Sequence, residues 1–119
     1  MKYLCLVYGE ESKISAMTDD ECMAYDAAIR QSGTCLASEP LQSVQSATTV
    51  RIRNGRLSIT DGPFAETKEQ LAGFYLIQAR DLNDAIQIAS RIPPARVGCI
   101  EVRPVRELIS TTGQKREIL

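Results

Sequence analysis

The sequence contains no histidine and no tryptophan, and its aromatic residues are four tyrosines and two phenylalanines. Without histidine, no imidazole is present to act as a general base or as a metal ligand. With so few aromatic side chains, the core has to be built mainly from Ile, Leu, Val and Ala. The chain also lacks an excess of either charge, because 14 basic residues face 15 acidic ones. No overall field therefore draws it to nucleic acid or to an anionic membrane surface.

Signals for metals, cofactors and export are also missing. The four cysteines, Cys5, Cys22, Cys35 and Cys99, include no closely spaced pair, which favours buried reduced thiols over a zinc site. Glycine-rich phosphate loops and nucleophile-elbow motifs are absent, so we expect neither a metal nor a cofactor. The apolar start of the chain is too short for a signal peptide, and no run is long enough for a membrane span. We expect a cytoplasmic protein.

The first half of the chain reads as strand, helix and strand. Lys2 to Tyr8 is apolar on both faces and predicts a central strand. Thr18 and Glu21 form a capping-box pattern for a helix from Asp19 to Gln31, with Gly33 as its stop. This helix is expected to bury Cys22, Tyr25, Ala28 and Ile29. Thr34 to Glu39 predicts a second strand that ends at Pro40.

The second half begins with the clearest local signal. Thr48 to Arg53 and Arg56 to Thr60 both alternate, and Asn-Gly between them predicts a type I′ hairpin. Leu71 to Ala79 predicts a buried strand. A helix capped by Asp81 should follow, with Pro93-Pro94 at its end and an apolar stripe of Leu82, Ala85, Ile86, Ala89 and Ile92. Val97 to Val105 predicts the last strand, with Ile100 and Val102 on one face.

This order predicts an α+β protein, a ferredoxin-like βαββαβ sandwich with an inserted β-hairpin. We expect a single domain over residues 1–105 and a polar C-terminal tail over residues 106–119, in which Leu108-Ile109 and Ile118-Leu119 are the apolar pairs. Two helices cover only one face of such a sheet. Because the other face mixes aliphatic side chains with Glu101 and Arg103, we expect a subunit interface or a ligand cleft there, most economically in a homodimer.

A resemblance to a known family rests on three segments: Asp61-Gly62-Pro63-Phe64, the following Glu66-Thr67-Lys68-Glu69-Gln70, and the late Ile100-Glu101-Val102-Arg103-Pro104. Together they resemble the YCII-related (DGPF-type) family over roughly residues 2–105. The resemblance implies a ferredoxin-like dimeric α/β barrel in which two sheets pair around a cleft. Some members pair a histidine near the first helix with an aspartate in the cleft. This chain has no histidine, so the resemblance implies only the aspartate.

Asp61 is the candidate catalytic residue, and Phe64, Glu101 and Arg103 are the candidate ligand-binding residues. Pro63 fixes its own backbone and restricts Gly62, which would hold the Asp61 carboxylate in place. The structural alternatives are that Asp61 accepts bonds within its own turn, that Phe64 fastens the loop to the sheet, and that Arg103 pairs with Glu101.

Two functions follow from these observations. One is a homodimer that binds a small polar organic ligand in a cleft beside the DGPF loop, with Asp61 available for proton transfer or elimination. The other is a non-catalytic interaction module, because bacterial proteins that resemble this one are associated with extracytoplasmic-function sigma factors. The sequence leaves open whether the protein is an enzyme.

Overall fold

A computed structural model describes residues 1–116 and has an α+β architecture compatible with a ferredoxin-like fold. Its strands are β1 (Lys2–Gly9), β2 (Cys35–Pro40), β3 (Thr48–Arg53), β4 (Arg56–Asp61), β5 (Gln70–Gln78) and β6 (Cys99–Pro104). Its helices are α1 (Glu11–Ser15), α2 (Asp19–Gln31) and α3 (Leu82–Ala89), and 3₁₀ turns lie at Val44–Ser46 and Pro93–Arg96. The short helix α1 had no counterpart in the sequence prediction. Ile118 and Leu119 of the predicted tail lie outside the described residues.

Four strands form one antiparallel sheet in the order β2-β5-β1-β6, and β1 is central as predicted. Burial alternates along β1, because Tyr3, Cys5 and Val7 face the helices. Cys5 pairs with Tyr75 of β5 and Val102 of β6 in the register of the sheet. The core therefore lies between this face of the sheet and the two longer helices.

Helix α2 has the predicted bounds because its cap is local. The Thr18 hydroxyl accepts a bond from the backbone N–H of Glu21 at 3.4 Å, and the chain leaves the helix through Gly33 with φ of +76°. Ile29 is buried, but Ala28 is exposed, so the prediction that Ala28 faces the core was wrong. Successive helical residues are about 100° apart, and here Ile29 takes the inward direction.

The prediction for α3 was right in type and right for part of its apolar stripe, because Ala85, Ala89 and Ile92 are buried as predicted. Asp81 caps the helix by accepting a bond from the Asp84 backbone at 2.9 Å. Leu82 and Ile86 of the predicted stripe are 51% and 48% exposed. Those two predictions were wrong, and Ile88, which was not predicted, packs against the core beside Ala85, Ala89 and Ile92. The two small alanines, which both stripes share, let the helix lie close to the sheet.

The cysteines also depart partly from the prediction. All four are free thiols, but only Cys5 is buried, Cys22 and Cys35 are half-buried, and Cys99 is exposed on the last strand. Cys99 lies opposite Tyr8 in the register of β1 and β6. It therefore belongs to the sheet face that the helices leave open.

The hairpin of β3 and β4 is confirmed and forms a separate two-stranded ribbon, here named the hairpin arm (Thr48–Asp61). Asn54 and Gly55 both have positive φ, 52° and 74°, as a type I′ turn requires. Every residue from 50 to 61 is exposed. The arm therefore projects from the body and does not join the sheet.

Candidate functional site

A groove of about 820 Å³ runs beside α2, between α1, the ends of β2 and β5, and the segment that follows β2. Its volume lies in the range of small-molecule sites in proteins. The described lining residues include four acids and no Lys or Arg; the acids are Glu11, Asp19, Asp26 and Glu39. Large apolar side chains complete the wall; among them are Met17, Met23, Leu41 and Leu71. The groove thus combines negative charge with apolar surface.

A hydrogen bond between α2 and β5 forms part of the groove wall. The Tyr75 hydroxyl donates a short hydrogen bond to Asp26 Oδ1 at 2.6 Å. Asp26 follows Cys22 by one helical turn and so points to the same side of α2. Tyr75 lies on the helix-facing side of β5 and stacks edge-to-face with Tyr25 at a centroid distance of 5.6 Å. Packing and hydrogen bonding together fix the Asp26 carboxylate.

The protonation states of two groups in the groove follow from their surroundings. Burial, and then the hydrogen bond to Asp26, hold the pKa of the Tyr75 hydroxyl far above its ordinary value. Burial, followed by the charge of Asp26, also raises the pKa of the Cys22 thiol. Tyr75 is therefore a neutral donor at physiological pH, and Cys22 is a thiol rather than a nucleophilic thiolate.

A second contact fastens α2 to the edge strand beside the groove. The Arg30 guanidinium donates to the Ser38 hydroxyl at 3.0 Å and to the Ser38 carbonyl at 3.4 Å. Ser38 is only 5% exposed, and the hydrogen bond from Arg30 satisfies its buried hydroxyl group. At the next strand, a Cβ on Gly73 would lie 2.9 Å from the Glu39 carbonyl oxygen. The absence of a side chain at position 73 therefore allows the backbones of β2 and β5 to approach closely there.

The Asp61 to Phe64 segment closes the base of the hairpin arm. Gly62 has φ of +106°, its N–H donates to the Ala47 carbonyl at 2.7 Å, and its carbonyl accepts from the Thr49 hydroxyl at 2.8 Å. Gln45, two residues before Ala47, lines the groove. The DGPF segment is thus hydrogen-bonded to a residue close in sequence to the groove wall, but none of Asp61 to Phe64 lines the groove, and Asp61 is exposed.

The structure does not bring the four sequence-predicted site residues together in the single chain. Phe64 is 79% exposed, and its carbonyl accepts a bond from Arg51 at 3.4 Å, so its side chain does not fasten the loop to the sheet. Among the described residues, no hydrogen-bond donor reaches the Asp61 carboxylate within its turn. Glu101 and Arg103 pair on β6, with Arg103 Nε donating to Glu101 Oε2 at 2.9 Å. They lie on the open face of the sheet.

Sequence reasoning missed Asp26, Tyr75 and Ser38. One signal for Asp26 was present, because it stands at i+4 from Cys22, among the residues predicted to be buried. A charged residue at such a position requires a partner or a function. Tyr75 gave no comparable signal, since a tyrosine within an apolar strand is ordinary core composition.

The arrangement suits recognition of a donor group. One oxygen of Asp26 is engaged by Tyr75, and the carboxylate borders the groove, where it can accept a bond from an ammonium or hydroxyl group. Within residues 1–116, no group of three or more Cys, Asp or Glu side chains is placed to hold a metal ion. The described helices also include none that is long and apolar enough to cross a membrane.

The fold and the groove define a small α+β domain with one helix-covered face and one open face. Comparison with known proteins identifies its family, because the model of the YCII-related domain matches residues 1–109. An uncharacterized protein of Rhizobium meliloti (strain 1021) is 38% identical over 114 residues, which cover 88% of this chain and 92% of that protein. The chain belongs to the YCII-related family, in agreement with the resemblance found in its sequence.

Proposed function

We propose that the protein binds a small polar organic molecule that carries a protonated amine next to an apolar part, in the groove beside α2. The observation that carries this proposal is the Asp26 carboxylate, which Tyr75 fixes at 2.6 Å in a groove whose described lining includes no basic side chain. A fixed carboxylate can pair with an ammonium group without first losing the freedom of its own rotamers.

The other lining residues support the same ligand class. Glu11, Asp19 and Glu39 add negative charge, which attracts a cation and disfavours carboxylates and phosphates. Met17, Met23, Leu41 and Leu71 provide adaptable apolar surface for the carbon skeleton of the ligand. Tyr75 keeps its proton, so it does not compete with Asp26 for the positive charge.

We further propose that two copies pair through the open sheet face, as the dimeric α/β barrel of the sequence prediction requires. This face carries apolar side chains that no described helix covers; they include Leu4, Leu6, Tyr8, Phe74 and Leu76. Leu4 lies opposite Leu76 and Leu6 opposite Phe74, so the apolar surface is continuous across two strands.

A catalytic role for Asp61, and ligand contacts from Phe64, Glu101 and Arg103, stay predictions. In the single chain Asp61 is exposed, whereas a carboxylate needs burial to act as an effective base near neutral pH. Association with an extracytoplasmic-function sigma factor also stays a prediction. Stoichiometric copurification of a sigma factor would support that interaction module.

A thermal-shift screen tests the proposed ligand class. Organic amines are compared with neutral and anionic molecules of the same skeleton, on the wild type, Asp26→Asn and Asp61→Asn. We expect amines to raise the melting temperature of the wild type and of Asp61→Asn, and to lose this effect on Asp26→Asn. Equal shifts for amines and anions, or an unchanged effect on Asp26→Asn, would contradict the proposal.

A further inference from the structure

The hairpin arm has one apolar face that is left in water. Val50 lies opposite Ile59, and Ile52 opposite Leu57, so four aliphatic side chains form two adjacent cross-strand pairs on one side of the ribbon. These four side chains, here named the apolar arm face, are 62%, 63%, 66% and 62% exposed, respectively. The other side carries Thr49, Arg51, Arg53, Arg56, Ser58 and Thr60. An isolated two-stranded hairpin is marginally stable in water, so this ribbon needs a surface to pack on.

The body of the same chain does not provide that surface. Every residue from 50 to 61 is exposed, and the Cα radius of gyration of 16.6 Å exceeds the roughly 13.5 Å of a compact domain of this length. The arm is joined to the body through its base, where Gly62 donates to the Ala47 carbonyl and accepts from Thr49. The arm therefore extends to a position where another molecule can contact it.

We propose that the apolar arm face packs on a second copy of this chain, so that each protomer of a twofold dimer clasps its partner with its arm. The proposal rests on the pairing of two copies stated above and adds the element that holds them. It also brings the Asp61 to Phe64 segment, at the base of the arm, to the interface. The DGPF segment of one protomer then lies against its partner, and the site predicted around Asp61 is complete only in the dimer.

Charge favours a second copy as the occupant. The arm carries three arginines against one aspartate, Asp61, while the whole chain has a formal charge of −1. The remainder of the chain is therefore net acidic. In a symmetric pair, the opposite net charges of arm and body attract the two copies to each other at longer range, while the arginines themselves lie on the side of the ribbon opposite the apolar arm face.

The areas are also consistent with a dimer that uses the arm together with the open sheet face. A two-stranded ribbon of six residues per strand presents about 200 Å² on one face, and a four-stranded sheet about 400 Å². Two copies that bury both surfaces remove about 1,200 Å², which is at the lower limit for a stable interface. The arm or the sheet face alone would fall below this limit, so both are needed.

Sedimentation equilibrium of the full chain tests the proposal with a matched pair of variants. Ile59→Asp places a charge on the apolar arm face, and Ser58→Asp places the same charge on the next residue of the opposite face. Both positions are exposed in the single chain, so the fold of the body should persist, and far-ultraviolet circular dichroism checks this. We expect a dimeric wild type, a dissociation constant raised roughly 10- to 100-fold by Ile59→Asp, and little change with Ser58→Asp.

Two other outcomes would overturn the inference in distinguishable ways. A dimeric wild type with the same dissociation constant in Ile59→Asp would show that two copies pair without the arm. A wild type that stays monomeric throughout the micromolar range would exclude both the arm contact and the proposed homodimer. The milder Ile52→Ser replacement repeats the test if Ile59→Asp alters the circular dichroism.

Discussion

The Tyr75 hydroxyl and the Asp26 carboxylate are joined at 2.6 Å across 49 residues of chain, and their bond links the central sheet to α2 at the wall of the groove. The bond contributes to stability, because it satisfies the hydroxyl of a buried tyrosine. It also prepares the groove for binding, because it holds the Asp26 carboxylate in place. These consequences can be separated by substituting one partner at a time.

Replacing Tyr75 by Phe removes the donor and leaves Asp26 without this partner. We expect the free energy of unfolding to fall by about 1–2 kcal/mol, measured by urea denaturation at neutral pH. Tyr8→Phe is the control, because Tyr8 lies on the open face, away from α2 and the groove wall. If Tyr75→Phe is as stable as the wild type, the bond does not hold α2 in place.

Stability should decrease in alkaline solution. Burial raises the pKa of Cys5 from 9.0 to about 11 and that of Tyr25 from 10.0 to about 12, and burial also raises the pKa of Tyr75. In the unfolded chain these groups lose their protons near their ordinary values, so the folded state binds more protons above about pH 9. Their contribution is complete below that pH and is lost as the pH rises toward 12.

Urea denaturation at a series of pH values from neutral to alkaline measures this dependence. Tyr75→Phe should weaken the decrease that begins near pH 10, because one of the three groups is then missing. A free energy of unfolding that stays constant between about pH 9 and 11 would contradict the assignment of these groups as buried acids.

Gly98 stands where the backbone permits no side chain. A Cβ at this position would overlap the Tyr8 carbonyl oxygen and lie 2.9 Å from the Gly9 Cα, both backbone atoms of the central strand. We expect Gly98→Ala to lower the free energy of unfolding by at least about 2 kcal/mol. In Gly9→Ala the new Cβ meets the end of the flexible Ile14 side chain, so the loss should be smaller. Equal losses in the two variants would contradict this account.

The thiols provide a probe of the open sheet face. Cys99 is exposed in the single chain and lies opposite Tyr8 on that face, whereas Cys5 is fully buried. If two copies pair there, Cys99 should react slowly with Ellman's reagent in concentrated solution and faster on dilution, and Cys5 should react only on unfolding. The Cys99→Ser variant lacks this thiol, so the part of the reaction that disappears in it is the part that comes from Cys99. A Cys99 rate that does not depend on protein concentration would argue against pairing through this face.

The elements that were predicted best from the sequence are those determined by interactions between residues close together in the chain. The Thr18 cap of α2 and the Asn54-Gly55 turn of the hairpin involve residues within a few positions of one another, and both are confirmed. The buried face of α3 was predicted only in part, because two stripes that share Ala85, Ala89 and Ile92 overlap there. The choice of Ile88 over Ile86 depends on contact with the sheet, which lies elsewhere in the sequence.

The candidate site could be predicted only in part for the same reason. The DGPF segment is a local motif that the sequence shows directly, but its residues do not line this groove, and the predicted site at Asp61, Phe64, Glu101 and Arg103 stays a prediction. Asp26 and Tyr75 come together only after α2 crosses the sheet and β5 pairs with β1, and no local pattern contains that contact. The short helix α1, which lines the groove, was missed because five residues give too little periodicity to recognise.

The most direct test of the binding site is an amide NMR titration of the isotope-labelled protein with benzylamine, benzyl alcohol and benzoate, which share one apolar ring and differ in charge. The account predicts that benzylamine shifts the amide signals of Asp26, Ser38, Leu41 and Tyr75, that benzyl alcohol shifts them less, and that benzoate leaves them unchanged. The shifts should disappear in Asp26→Asn. Signals that move equally with benzoate, or benzylamine shifts scattered away from the groove, would contradict the account.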